Sequence, residues 1–148
     1  MRTIHAAPLL RLTLDAEPAA EQAVLVSGDR VEAVAPLDEL TEAYPRVRVR
    51  RWAGTLGPAL VHDGPIPPAP TPRERVHALF RRGAAAVLAA HVAEPSLRAA
   101  AARNGVAVLD GPRPPALLVG GRADLAVFDA DGSCLVTVVA GRLVHRRA

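Results

Sequence analysis

The stretch Gly120-Gly121-Arg122-Ala123-Asp124-Leu125-Ala126-Val127-Phe128-Asp129 constrains what this chain can fold into more than any other. A glycine pair sets a turn, a short apolar run follows, and an acid closes it, which is the pattern of a strand bounded by turns. Leu135 to Val144 behind it and Val24 to Val34 far ahead of it carry similar runs. Both chain ends are therefore expected to supply pieces of one antiparallel β layer.

The rest of the chain reads in order. Ile4 to Leu14, with Leu9, Leu10, Leu12 and Leu14, alternates in part and predicts a half-buried strand. Ala23 to Val26 and Val31 to Val34 flank Ser27-Gly28-Asp29-Arg30, the clearest hairpin of the sequence, with Gly28 available for positive φ. Pro36 to Tyr44 predicts one or two helical turns, and Val47 to Arg51 a strand with arginines at alternate places. Gly54, Gly57 and Pro58 punctuate the chain before a short run at Leu60 and Val61. Gly64 to Pro72 is too rich in proline for regular structure. Thr71-Pro72-Arg73-Glu74 is a helix start, with an N-cap, a proline in the first turn and an acid three residues after the cap. Its apolar face is Val76, Leu79 and Phe80, and Gly83 ends it. Ala84 to Ala90 predicts a buried strand, Pro95 to Arg103 a second helix capped by Asn104-Gly105, and Val106 to Leu109 another strand. Leu60 to Asp110 thus reads β-α-β-α-β, whose parallel strands suit right-handed crossovers.

At 148 residues, half of them apolar, the chain is long enough for one domain with a real core. All 18 basic residues are arginine, yet the formal charge is only +3, and the arginines are scattered. With aromatics at 3%, base stacking has no platform, so no nucleic-acid partner is expected. The cluster Arg46, Arg48, Arg50 and Arg51 reads as a solvated face. Cys134 is alone, which excludes an internal disulfide and a cysteine metal cage and suits a reducing interior. No signal-like start and no apolar run of about 18 residues is present, so the expectation is a soluble, cytoplasmic protein without a membrane partner.

Four segments then resemble one family. Ser27 to Val34, Gly54 to Val61, Gly121 to Asp129 and Val138 to Val144 look like the flanking segments of amidohydrolase-superfamily enzymes, in the same order, and most like the imidazolonepropionase and aminodeoxyfutalosine deaminase types. The resemblance implies that both chain ends form a β-sandwich beside a metal-bearing barrel. In that family a His-x-His metal pair follows the first barrel strand; aligned on Pro58-Ala59-Leu60-Val61, its positions fall on Gly64 and Ile66. A carboxylated lysine is excluded because the chain has no lysine. A full barrel needs ~200 residues or more, whereas the stretch between Gly64 and Gly120 suits about two β-α units. The resemblance therefore implies a sandwich with a remnant or miniature of the barrel.

The fold expected is α+β: a β-sandwich from residues 1–61 and 116–148, with a small β-α-β-α-β layer inserted at 62–115. The strands of that insert end on His62 with Asp63, on His91, and on Asp110. The C-terminal edge of a parallel sheet is where ligands bind, so these are the candidate catalytic residues. Two histidines and two carboxylates suit zinc or another divalent ion with an open position, or an acid/base pair. The simpler reading has the histidines bonding loop backbone and the acids opening turns before Gly64 and Gly111. Asp124 is expected to satisfy turn N–H groups, Asp129 and Asp131 lack the distal Glu of a calcium loop, His5, His77 and His145 read as surface residues, and Cys134 as a small buried hydrophobe. The functional expectation is a protein without the family's metal centre or any cofactor. It would act as a small-molecule-binding or protein-interaction module, and as a homodimer because the short insert leaves sheet edges uncovered. The alternatives are a small hydrolase of a cyclic amide or amidine C–N bond using His62, Asp63, His91 and Asp110, and a structural partner to a separate barrel.

Overall fold

A computed structural model describes residues 1–147. In chain order the elements are β1 (Arg2–Ala6), β2 (Leu9–Leu10), β3 (Ala19–Ala20), β4 (Gln22–Ser27), β5 (Arg30–Pro36), α1 (Leu37–Ala43), β6 (Arg48–Arg51), β7 (Thr55–Pro58), β8 (Leu60–His62), α2 (Pro72–Arg81), β9 (Ala84–Leu88), a 3-10 turn (Ala89–His91), α3 (Pro95–Arg103), β10 (Ala107–Leu109), β11 (Leu125–Phe128), β12 (Cys134–Val139) and β13 (Arg142–Arg146). The fold is α+β and rich in sheet.

The strands of the two chain ends form two facing sheets, the sandwich that the resemblance implies; the similar apolar runs of the two ends are thus divided between sheets and do not make one antiparallel layer. Sheet one runs β5-β4-β1-β6 and sheet two β13-β12-β11-β7-β2-β3. The division follows from a break in the predicted Ile4 to Leu14 strand: after β1 the chain passes Ala7-Pro8 and enters the other sheet as β2. Nor is either sheet purely antiparallel, since β1 pairs parallel with β6 and β2 parallel with β7.

Burial of both faces explains why β4 reads as an unbroken apolar run. Val24 and Val26 point into the sandwich with Val31, Leu56, Leu125, Val127, Val136 and Val138, while Ala23 and Leu25 point the other way, into a core with Ile4, Ala6 and Leu40 of α1. Each fully buried Leu or Val contributes about 1.5–3 kcal/mol. The hairpin β4–β5 turns at Gly28, with φ +59, and Asp29. That hairpin is clipped to the glycine turn that opens β11. Val31 N–H donates to Gly121 O at 2.9 Å, Gly120 N–H donates to Val31 O at 2.8 Å, and Ala123 N–H donates to Asp29 O at 2.7 Å.

The middle of the chain forms a third sheet, ordered β10-β9-β8 with both pairings parallel. Helix α2 starts as its sequence dictates: Thr71 Oγ1 accepts from Glu74 N–H at 3.1 Å, and Pro72 occupies the first turn. Asn104 closes α3 by donating its side-chain amide to Ala100 O at 2.7 Å, and Gly105 follows with φ +78. Val76, Leu79 and Phe80 of α2 and Leu97, Ala100 and Ala101 of α3 share one core with Ala85 and Val87 of β9 and with Ala126 and Val139 of sheet two. The helices thus bind the third sheet to the sandwich. Buried Thr137 on β12 adds a polar link, its hydroxyl donating to Phe80 O at 2.6 Å.

Candidate functional site

The sheet register brings the C-terminal ends of β8, β9 and β10 to one edge. His62 lies beside Val87, and Leu109 beside Leu88, so Asp110 follows at the same level; His91 ends the 3-10 turn that leaves β9. His91 Nε2 lies 3.6 Å from Asp63 Oδ1. That separation is too long for a hydrogen bond and amounts to an ion pair only while His91 is protonated. His62 Nε2 lies 3.0 Å from Pro65 O. A carbonyl only accepts, so Nε2 carries the proton and the ring's lone pair sits on Nδ1. Asp110 is exposed.

Among the described residues no three His, Cys, Asp or Glu side chains gather as a metal ion requires. The two positions that the family resemblance assigns to metal ligands do not supply them either. Gly64 is a turn glycine with φ +147, and Ile66 is 3% exposed in the core beneath α2. The residues present do not fit a metal centre of that kind. What the edge offers is a histidine, a nearby carboxylate and a second exposed carboxylate: proton-transfer and hydrogen-bonding groups along one end of the third sheet.

Asp124 serves the backbone as expected and also carries a link the sequence left unread. Its Oδ1 accepts from Ala140 N–H at 2.8 Å, and Arg122 Nε reaches both carboxylate oxygens at 3.0 and 2.8 Å. The guanidinium then donates to Ala85 O on β9 at 3.2 Å, tying the third sheet to the turn before β11. The signal was present in Arg122-Ala123-Asp124, where two charges of opposite sign share one side of an extended chain.

His5 is a correction. The sequence placed it at the surface, but β1 is an inner strand between β4 and β6, and His5 is 3% exposed. Trp52 Nε1–H donates to its Nδ1 at 3.1 Å. Burial, and then the charge of Arg50, hold the imidazole neutral, with its pKa lowered to about 4. His77 is exposed and His145 half-buried. Cys134 is buried, and its desolvation pushes the thiol pKa up, as befits a packing residue.

Comparison with known proteins adds the following. Residues 23–46 match the family model described as the bacterial imidazolonepropionase-like composite domain. No curated protein sequence matches the chain. In fold it is similar to guanine deaminase of E. coli at 14% identity and TM-score 0.56, covering 73% of this chain and 35% of that one. It is similar to guanine deaminase of Bradyrhizobium japonicum at 11% identity and TM-score 0.54, covering 72% and 34%. An adenosine deaminase of Xanthomonas campestris with bound zinc is similar at 16% identity and TM-score 0.52, covering 72% and 33%. The chain spans about a third of the length of each. No helix among the described residues is long and apolar enough to cross a membrane.

Proposed function

From the premise that the chain carries an amidohydrolase-like composite domain, we propose that it is a metal-independent binding module. On this reading the edge at the ends of β8, β9 and β10 receives a small molecule or a protein segment, with His91, Asp63 and Asp110 as polar contacts. The observation that carries the reading is the state of the edge itself. His62 is held by Pro65 O, His91 meets a carboxylate only at 3.6 Å, and Ile66 is buried core. Such a site can hydrogen-bond a ligand, but it lacks the three convergent ligands that a catalytic zinc needs.

The test is a titration of the protein with zinc or manganese followed in amide ¹H–¹⁵N spectra. The expected result is no saturable shift at residues 62–66, 89–92 and 110. One-to-one saturation there, abolished by His62→Ala or His91→Ala, would instead support a small hydrolase acting on a cyclic amide or amidine C–N bond.

The module is further proposed to work as a homodimer. β8 and β10 each present an outer edge that no described strand pairs, and a second copy is the simplest cover. Light scattering at tens of micromolar is expected to give twice the chain mass, and a monomeric mass would end this part of the reading.

A further inference from the structure

The outer edge of sheet one carries a second polar feature. Strand β6 forms the outer edge of sheet one, beside β1. Thr3 pairs with Arg48 and His5 with Arg50, so these four residues share one face, while Val49 and Ile4 point to the opposite face and the core under α1. Arg48 and Arg50 therefore stand side by side, roughly 6.6 Å apart along the strand. With Arg2, Thr3, Ser27 and Arg46 they line a concavity of about 600 Å³. No residue lining it bears a carboxylate. Arg2 is paired with Glu32 at 3.0 Å, but among the described residues Arg46, Arg48 and Arg50 form no ion pair. His5 behind them is neutral and buried, so it adds no further positive charge.

Three unpaired guanidiniums around one hollow repel one another, and a ligand with two or more closely spaced anionic groups relieves that repulsion. Guanidinium forks bind phosphate and carboxylate oxygens in pairs, and the Thr3 hydroxyl on the lining supplies a neutral donor, while Arg2 and Ser27 are engaged by Glu32. We propose that the hollow at the β1–β6 edge binds a compact polyanion, a small molecule bearing either linked phosphates or several carboxylates, through Arg46, Arg48 and Arg50. This site shares no residue with the strand ends of the third sheet and stands whether or not those bind anything.

Calorimetric titration at about 0.15 M salt, where diffuse surface attraction is largely screened, tests it. The probes are inorganic pyrophosphate, tripolyphosphate and citrate. Saturable one-to-one binding of at least one is expected. It should weaken by about tenfold or more in Arg48→Ala/Arg50→Ala and stay unchanged in Arg73→Ala, which removes a charge on the distant helix α2. Because Arg50 lies against buried His5, Arg46→Ala/Arg48→Ala serves as a second variant, with far-ultraviolet circular dichroism confirming the fold. Binding of the phosphates alone assigns a phosphorylated ligand, and binding of citrate alone assigns a polycarboxylate. No saturable binding by any probe, or equal weakening by Arg73→Ala and the double variants, would overturn the proposal and leave a charged edge that merely repels other strands.

Discussion

His5 shows how one buried side chain couples this fold to pH. Its folded pKa of about 4 lies below the ordinary value of 6.5, so between those values the unfolded chain takes up a proton that the folded chain refuses. Stability is therefore complete above about pH 6.5, falls as pH drops towards about 4, and levels off below that, with a total loss of ~3 kcal/mol. Half-buried His145 is also shifted down by burial and acts in the same direction. Urea melts from pH 7 to pH 4 are expected to follow this slope, and His5→Gln is expected to flatten most of it; an unchanged slope in the variant would place the effect elsewhere. Asp124 is the other residue on which much converges. Replacing it by Ala strands Ala140 N–H and leaves Arg122 Nε without its carboxylate partner, an expected cost of about 2–3 kcal/mol in equilibrium denaturation. Nothing in the sequence marked His5 as buried, because its burial depends on β6 returning beside β1, a long-range pairing.

At the level of elements, the helices were the most legible part of the chain because their ends are local chemistry. Thr71 caps α2 where the spacing to Glu74 says it should, and Thr71→Ala is expected to cost about 1 kcal/mol in a chemical denaturation curve. Strand β7 was the least legible. Gly57 and Pro58 read as punctuation, yet Thr55–Pro58 is an inner strand between β11 and β2, made so by cross-strand pairing that overrides local propensity. The turn between β12 and β13 gives a sharper test. Gly141 has φ +79, and a Cβ there would collide with Gly28 O of the facing hairpin, whereas Gly132 has φ +86 with open space around it. Gly132→Ala is expected to cost about 1 kcal/mol, and Gly141→Ala about 3 kcal/mol or more because the two turns must separate. Equal melting temperatures for the two variants would show that the clip between hairpin and turn is not a constraint.

For the whole molecule, apolar patterning foretold the β-rich ends and the β-α-β-α-β middle, and the resemblance of four segments foretold the composite-domain fold. The point at which the chain crosses between the two sheets was not legible, since it depends on where Ala7-Pro8 carries it across the sandwich. The same holds for the candidate site. Periodicity alone put His62, Asp63, His91 and Asp110 at strand ends, but only the coordinates give His62 to Pro65 O and hold Asp63 3.6 Å from His91. These distances, with Ile66 buried where the resemblance calls for a metal ligand, support the proposal that the module works without a metal centre. Elemental analysis of the protein purified from zinc-, manganese- and iron-supplemented medium tests it most directly. The account predicts well under one-tenth of an equivalent of any of the three per chain, and about one equivalent that disappears in His62→Ala or His91→Ala would contradict it.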